Sequence, residues 1–314
     1  MALEIINPGF LTLLQDYGRY GLQKFGITHG GPMDEHAFLW GNRLLGNDFN
    51  AVQLEICLGG FSVRFHKSTI VALCGAQAQV SLNNQKINMW QTHCVEPGDE
   101  IRVDVFSSGL YAYLAIKQGF DVGVQLNSVA TVMREKLGGL HQDGQKLVNK
   151  ENIDYRQHVN EYRGVAEFKT VVPARFLPSY QDEVILRFIP NRSESGCSDQ
   201  TIDDFVNQSF EVSADINRMG YRLQGDAISS EKKGIISQGI SVGTIQLPPA
   251  GQPIILMKDR QTVGGYPQLG CLVYQDIGLL SQCRPGAKVT FQAVELSEVE
   301  QEFIAYLQFF GVKL

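Results

Sequence analysis

Hydrophobic and polar positions alternate in short runs along most of this chain, the two-residue period of a half-buried strand. Residues 3–6 form a first such run, ended by Asn7-Pro8-Gly9. From Val52 to Phe106 the pattern is continuously β. Phe61-Ser62-Val63-Arg64-Phe65 and Ile101-Arg102-Val103-Asp104-Val105 alternate, Ile70 to Cys74 is fully apolar, and Asn83-Asn84 and Pro97-Gly98-Asp99 supply turns. Tyr111 to Ile116 adds a strand, and the second half restarts with Glu183 to Ile189, ending at Pro190, and then Phe210-Glu211-Val212. Helical spacing is confined to three places. Met33 to Leu45 carries Ala37, Phe38, Leu44 and Leu45 on one face, with Pro32 at its start and Gly46-Asn47 as its C-terminal cap. Thr201 to Val206 is a short helix with Thr201 as N-cap, and the tail to Phe310 opens on a Ser297/Glu300 capping box. Many short strands and few helices predict a mainly β protein, with barrel-like units in both halves.

Length and composition narrow the class. A chain of 314 residues favours two domains, and the mixed-charge stretch 150–180 is the expected linker, giving domains 1–175 and 176–314. Net charge is −6, which leaves no basic footprint for nucleic acid or an acidic membrane. The first residues lack the basic and apolar regions of a signal peptide, and no apolar run reaches membrane-spanning length. The cysteines at 57, 74, 94, 197, 271 and 283 are scattered, without a Cys-x-x-Cys pair. They are expected as buried, reduced thiols of a cytoplasmic protein.

Candidate chemistry concentrates in Lys258-Asp259-Arg260-Gln261-Thr262-Val263-Gly264-Gly265-Tyr266-Pro267, set between the apolar runs Ile254 to Met257 and Leu269 to Val273. It is expected as a polar turn between two core strands. An arginine fork suits a carboxylate or phosphate, and Gly264-Gly265 lets backbone approach a ligand. Other signals fail on spacing. Gly139 to Gly144 has P-loop spacing, but Gln145 stands where lysine is required. His29 and His36 fit no zinc pattern. Met257-Lys258 has poor flanks for a biotin attachment site. An echo links the halves: Arg19-Tyr20-Gly21-Leu22 with Gly26 matches Arg218-Met219-Gly220-Tyr221 with Gly225. Such an echo suggests distant copies of one β unit.

Six motifs, in order, then carry a family resemblance. They are Gln15-Asp16-Tyr17-Gly18-Arg19, Met33-Asp34, Asn42-Arg43-Leu44-Leu45-Gly46-Asn47, Leu54-Glu55 with Gly59-Gly60, Arg218-Met219-Gly220-Tyr221-Arg222-Leu223, and Asp259-Arg260-Gln261-Thr262 through Gly264-Gly265-Tyr266-Pro267. Together they resemble the family of the 5-oxoprolinase C-type subunit, also called allophanate hydrolase subunit 2 or KipA-like, which is related to the carboxyltransferase domain of urea carboxylase. Two departures stand out: Gly41 where relatives carry alanine, which weakens the helix by up to ~1 kcal/mol and permits closer packing, and Pro190-Asn191-Arg192 where relatives have Pro-Gly-Pro.

The resemblance implies two β-rich halves with a cyclophilin-like barrel, placed in the C-terminal domain. It also implies a hydrolase component, inactive alone, that opens 5-oxoproline to L-glutamate with A-type and B-type subunits at the expense of ATP. No metal or biotin is expected on the chain itself. Two alternatives belong to the same resemblance: a carboxyltransferase component acting on urea or an amide with carboxybiotin from another protein, and a non-catalytic KipA-like regulator of a kinase inhibitor. At the matching positions, Arg218, Arg260, Gln261, Thr262 and Tyr266 have the donor chemistry for developing negative charge, and Asp34 and Asp259 could serve as base or orienter. Asp16, Arg19, Asn47, Glu55, Asn217, Gly264 and Gly265 are expected to shape the substrate site. Arg218 and Arg260 are expected to clamp one anion across a cleft, against the alternative that an arginine merely pairs with Asp259.

Overall fold

A computed structural model describes residues 2–157, 169–193 and 197–313. The central part of the expected linker, 158–168, lies outside the described residues. The chain divides into two compact units, one of Met1–Arg19 with Gly30–Tyr180, the other of Tyr20–His29 with Gln181–Leu314. The first unit holds β1 (Leu3–Pro8), β2 (Leu11–Gln15), helix α1 (Glu35–Leu45), β3 (Gln53–Cys57), β4 (Phe61–Phe65), β5 (Thr69–Gln77), β6 (Val80–Leu82), β7 (Gln85–Ile87), β8 (Thr92–Val95), β9 (Glu100–Val103), β10 (Ser108–Ile116), β11 (Phe120–Asp121) and β12 (Asn152–Tyr155). They form a seven-stranded sheet, β11-β12-β1-β4-β9-β6-β7, and a five-stranded sheet, β2-β3-β10-β5-β8.

Both sheets contribute to one core. Ile5, Phe61 and Val63 from the first meet Leu54, Val71 and Leu114 from the second. β5 and β10 are buried on both faces because α1 covers the side that the sandwich core does not. Asp34 caps α1 by accepting from the Ala37 N–H at 3.1 Å, and Gly46 at φ 61° ends it. The helix therefore starts two residues later than the periodicity predicts. Gly41 has a packing reason: a Cβ there would meet Gln53 Oε1 at 2.8 Å and the Ala115 Cβ at 3.1 Å.

The second unit holds β13 (Glu183–Pro190), α2 (Asp199–Val206), β14 (Phe210–Asn217), β15 (Gly220–Gln224), β16 (Gln238–Gly239), β17 (Thr244–Gln246), β18 (Ile254–Leu256), β19 (Val263–Gly264), β20 (Gln268–Leu272), α3 (Tyr274–Ser281), β21 (Lys288–Ala293) and α4 (Leu296–Phe310). Seven strands close a barrel in the order β13-β20-β17-β18-β15-β14-β21, which abolishes free sheet edges. Phe205 of α2 stacks on Phe291 at 4.3 Å between ring centroids and meets Phe188 edge-on at 5.3 Å, closing the barrel interior. Arg187 on β13 ties both later helices to the barrel, reaching Asp276 at 2.7 Å and Glu302 at 2.8 Å.

Helix caps differ from the sequence expectation by a few residues. Ser198 rather than Thr201 caps α2, and Glu295 with Glu298 forms the capping box of α4 in place of Ser297 and Glu300. Helix α3 has no clear periodic signal in the sequence, because Gly278 interrupts its apolar spacing. The expectation of a barrel-like unit in each half is corrected: the first unit is a two-sheet sandwich and the closed barrel belongs to the second. The chain is mainly β, with four α-helices among the described residues. None of those helices is long and apolar enough to cross a membrane.

Candidate functional site

The stretch 258–267 is not a simple turn. β18 delivers Lys258, Asp259 and Arg260 into the interior, where each is at most 7% exposed. The chain then pairs as β19 with β16, Gln238 opposite Gly264, forming a two-stranded ribbon outside the barrel before β20 returns to it. The Tyr20–His29 segment belongs to the same unit and is pinned here. Gln23 Nε2 donates to the Ile240 carbonyl at 2.7 Å and the Thr262 carbonyl at 3.2 Å, and Thr28 Oγ1 donates to the Arg260 carbonyl at 3.0 Å.

Three buried charges in sequence have three different fates. Asp259 accepts a bidentate fork from Arg218, Nε to Oδ2 and Nη2 to Oδ1, both at 2.9 Å. The Asp259 N–H also donates to the Arg218 carbonyl at 2.8 Å. Lys258 Nζ stands 5.3 Å from the Tyr274 ring centroid, a cation–π distance. Arg260 donates from Nε to the Ile240 carbonyl at 3.2 Å. Its Nη1 is buried and has no hydrogen-bond partner among the described residues. Burial pushes its pKa downward, against the pull of Cys271, Tyr274, Asp259 and Tyr20. Cys271 does not supply an anion there at neutral pH, since burial raises its thiol to about 11.

A second open donor lies on β17. Gln246 is 2% exposed and its Nε2 is without a partner among the described residues. A Cβ on Gly264 would come within 2.5 Å of that nitrogen and 3.2 Å of Ile240 Cδ1, so a larger residue there would have to displace the Gln246 side chain. Gln268, opposite Gln246 across β17–β20, also has a buried Nε2 without a partner among the described residues. An unsatisfied buried donor costs about 1–3 kcal/mol. The open Nη1 of Arg260, on a cation whose neighbouring carboxylate is already neutralised, is suited to an incoming acceptor such as a carboxylate or carbonyl oxygen.

The other expected site residues separate into groups. Arg218 and Asp259 pair with each other, the alternative set against the two-arginine clamp, while Arg260 has a buried Nη1 with no hydrogen-bond partner among the described residues. Asn217 accepts from the Met219 N–H at 2.8 Å and shapes the β14–β15 turn. Thr262 lends its carbonyl to the Ile240 N–H, the Gly265 carbonyl accepts from the Ile235 N–H, and Tyr266 is 42% exposed. Gln261 sits half-buried beside them.

In the first unit the expected residues brace the fold. Asp16 accepts from Ser128 Oγ at 2.6 Å, the Val129 N–H at 2.7 Å and the Ala130 N–H at 3.2 Å. Arg19 donates to the carbonyls of Gln125, Ala130 and Ser128. Asn47 bridges Ile116 and Gln118 behind α1. Glu55 accepts from Tyr113 Oη and the Met33 N–H, each at 2.8 Å, while Asp34 accepts from Tyr180 Oη at 2.7 Å besides capping α1. Burial, reinforced by Glu55 and Asp34, holds the Tyr113 phenol well above its ordinary pKa. A cavity of about 490 Å³ in this unit is lined by Trp90, Tyr180 and Lys86 among others and includes none of the expected site residues. Sequence reasoning missed Gln246, Ile240, Gln23 and Thr28. Polar Thr244 and Gln246 on either side of Ile245 were the available signal.

The chain thus combines a closed seven-stranded barrel, carrying an external two-stranded ribbon, with a β-sandwich unit. Residues 25–293 match the family described as carboxyltransferase domain, subdomain A and B, and the chain belongs to that family. It is 33% identical over 302 residues to the C-type subunit of 5-oxoprolinase from Escherichia coli, and 31% identical over 301 residues to the same subunit from Haemophilus influenzae. Each match covers 94% of this chain and 92% of the relative. The chain is 28% identical over 316 residues to urea amidolyase of Lachancea kluyveri, covering 96% of this chain but 17% of that protein. Among solved structures, Kluyveromyces lactis urea carboxylase superposes with a TM-score of 0.87 at 25% identity, over 98% of this chain and 29% of that one.

Proposed function

We propose that this chain is the C-type subunit of an ATP-dependent 5-oxoprolinase, opening 5-oxoproline to L-glutamate together with A- and B-type subunits, and that Arg260 binds the substrate's anionic group. The observation that carries the reading is near-full-length similarity, at 31–33% identity, to proteins named as that subunit. The site chemistry agrees with it. A lactam is a poor electrophile, so phosphorylation of its carbonyl oxygen by ATP would supply the leaving group. The substrate's carboxylate would dock on the open edge of the Arg260 guanidinium. Asp259, held by Arg218, would orient this layer rather than take a proton.

A second reading draws on the urea carboxylase superposition and the family's description: transfer of a carboxyl group to urea or a related amide, with carboxybiotin brought by another protein. The same arginine would then hold the transferred carboxyl group. Reconstitution with A- and B-type subunits separates the two. The first reading expects glutamate formation that needs both 5-oxoproline and ATP. Urea-dependent carboxylation without glutamate formation transfers the assignment to the second. In the active assembly, Arg260→Lys keeps the charge and loses the planar fork. Turnover should fall at least tenfold with assembly and melting temperature unchanged; activity within twofold of wild type removes Arg260 from the site.

A further inference from the structure

Above the Arg260 layer the ribbon presents an unusually apolar surface. Ile236 is 93% exposed, Phe25 68%, Val263 55%, Tyr20 47% and Tyr266 42%. They come from three separate segments, yet backbone and side-chain bonds bring those segments together. The Ile235 N–H donates to the Gly265 carbonyl at 2.8 Å, Gly239 pairs with Val263, and Gln23 bridges Ile240 and Thr262. Isolated exposed hydrophobes are ordinary, but five on three short segments bonded to one another mark an interaction face.

Charge indicates what covers it. The same segments carry exposed Lys24, Lys232 and Lys233 against a single exposed acid, Glu231, on a chain whose net charge is −6. Lys24 Nζ lies 5.1 Å from the Phe25 ring centroid, so the positive charge borders the apolar residues directly. In a two-fold dimer each patch faces its own copy, which would bring two net-positive patches together. A different chain with an apolar patch and an acidic rim meets both requirements.

We propose that this ribbon face docks a second, different protein subunit bearing an apolar patch rimmed by carboxylates. Docking would also shut the Arg260 layer off from water, strengthening its hold on an anion. The identity of that partner as a 5-oxoprolinase component rests on the function proposed above; the location and chemistry of the face do not.

The test co-expresses the tagged full chain with A- and B-type subunits and measures complex formation by titration and light scattering. Ile236→Asp and Val263→Asp should each weaken the complex at least tenfold without changing circular dichroism or melting temperature. Lys232→Glu with Lys233→Glu should weaken it several-fold, and added salt should weaken the wild-type complex. Leu296→Asp, on the exposed part of α4 and itself 58% exposed, should stay within twofold. Complexes within twofold of wild type for both aspartate variants overturn the proposal, as does absence of any wild-type complex. A homodimer of the lone chain that Ile236→Asp abolishes overturns it in favour of a second copy. Assembly that depends on the face but yields no glutamate from 5-oxoproline leaves the docking surface intact and removes the enzymatic reading instead.

Discussion

Arg19 in the first unit and Arg260 in the second are both buried, at 2% and 7% exposure, and their surroundings differ in one respect. Arg19 directs its nitrogens at three backbone carbonyls, while Arg260 has one carbonyl and an open Nη1 among the described residues. A saturated buried guanidinium acts as a brace, because its cost of burial is offset by the bonds that close the loop around it. An unsaturated one keeps that cost until an acceptor arrives, which is a reason to assign it to binding. Arg218 joins the first class, its fork closed on Asp259. The arginines of the echoed Arg-x-Gly motif are thus both engaged by hydrogen bonds, and Arg260, outside the echo, keeps an open Nη1 among the described residues.

The largest effect should come from breaking the closed pair. Removing one partner of a buried ion pair leaves the other uncompensated, at about 3–5 kcal/mol. Arg218→Ala and Asp259→Ala should each destabilise the full chain by that order in urea titrations. The double variant should cost well under their sum. Additive losses would show that the pair is not coupled.

Next comes a matched comparison of the two arginines. Arg19→Met leaves the Ala130 carbonyl and its neighbours without their donor and should cost about 2–4 kcal/mol. Arg260→Met removes a charge with an unpartnered edge and should change stability by no more than about 1 kcal/mol, in either direction, while abolishing turnover of the assembly. Equal destabilisation by both variants would erase the distinction between brace and binder.

The smallest effect is a pH dependence confined to the second unit. Burial lifts the Cys271 thiol from its usual 9.0 to about 11. The folded state thus keeps a proton that the unfolded chain releases at lower pH. The stabilisation is complete below about pH 9 and is lost as pH rises through 11. Wild-type stability should fall across that window, and Cys271→Ala should flatten part of the slope. An unchanged slope would mean that Cys271 is better solvated than its burial implies.

Much of the fold is local and could be read from residues alone. The alternation of Phe61 to Phe65, the apolar run through Cys74 and the Gly46 cap each depend on neighbours a few positions away. Cap positions slipped where several acids and hydroxyls stand close together, as at Glu295, Ser297, Glu298 and Glu300, because any of them can accept from a helix N-terminus. The motif residues could likewise be located in sequence, but their roles could not.

The sequence by itself determined a mainly β chain, the positions of its longer strands and first helix, and the segments in which polar residues interrupt apolar runs, since periodicity and capping act over a turn or two of backbone. Tertiary structure alone decided which of the buried arginines is satisfied. Arg19 finds its acceptors 106 to 111 residues downstream and Arg218 its carboxylate 41 residues away. A side chain's hydrogen-bond complement is set by whatever the fold carries to it, and such long-range pairing leaves no periodic trace in the chain.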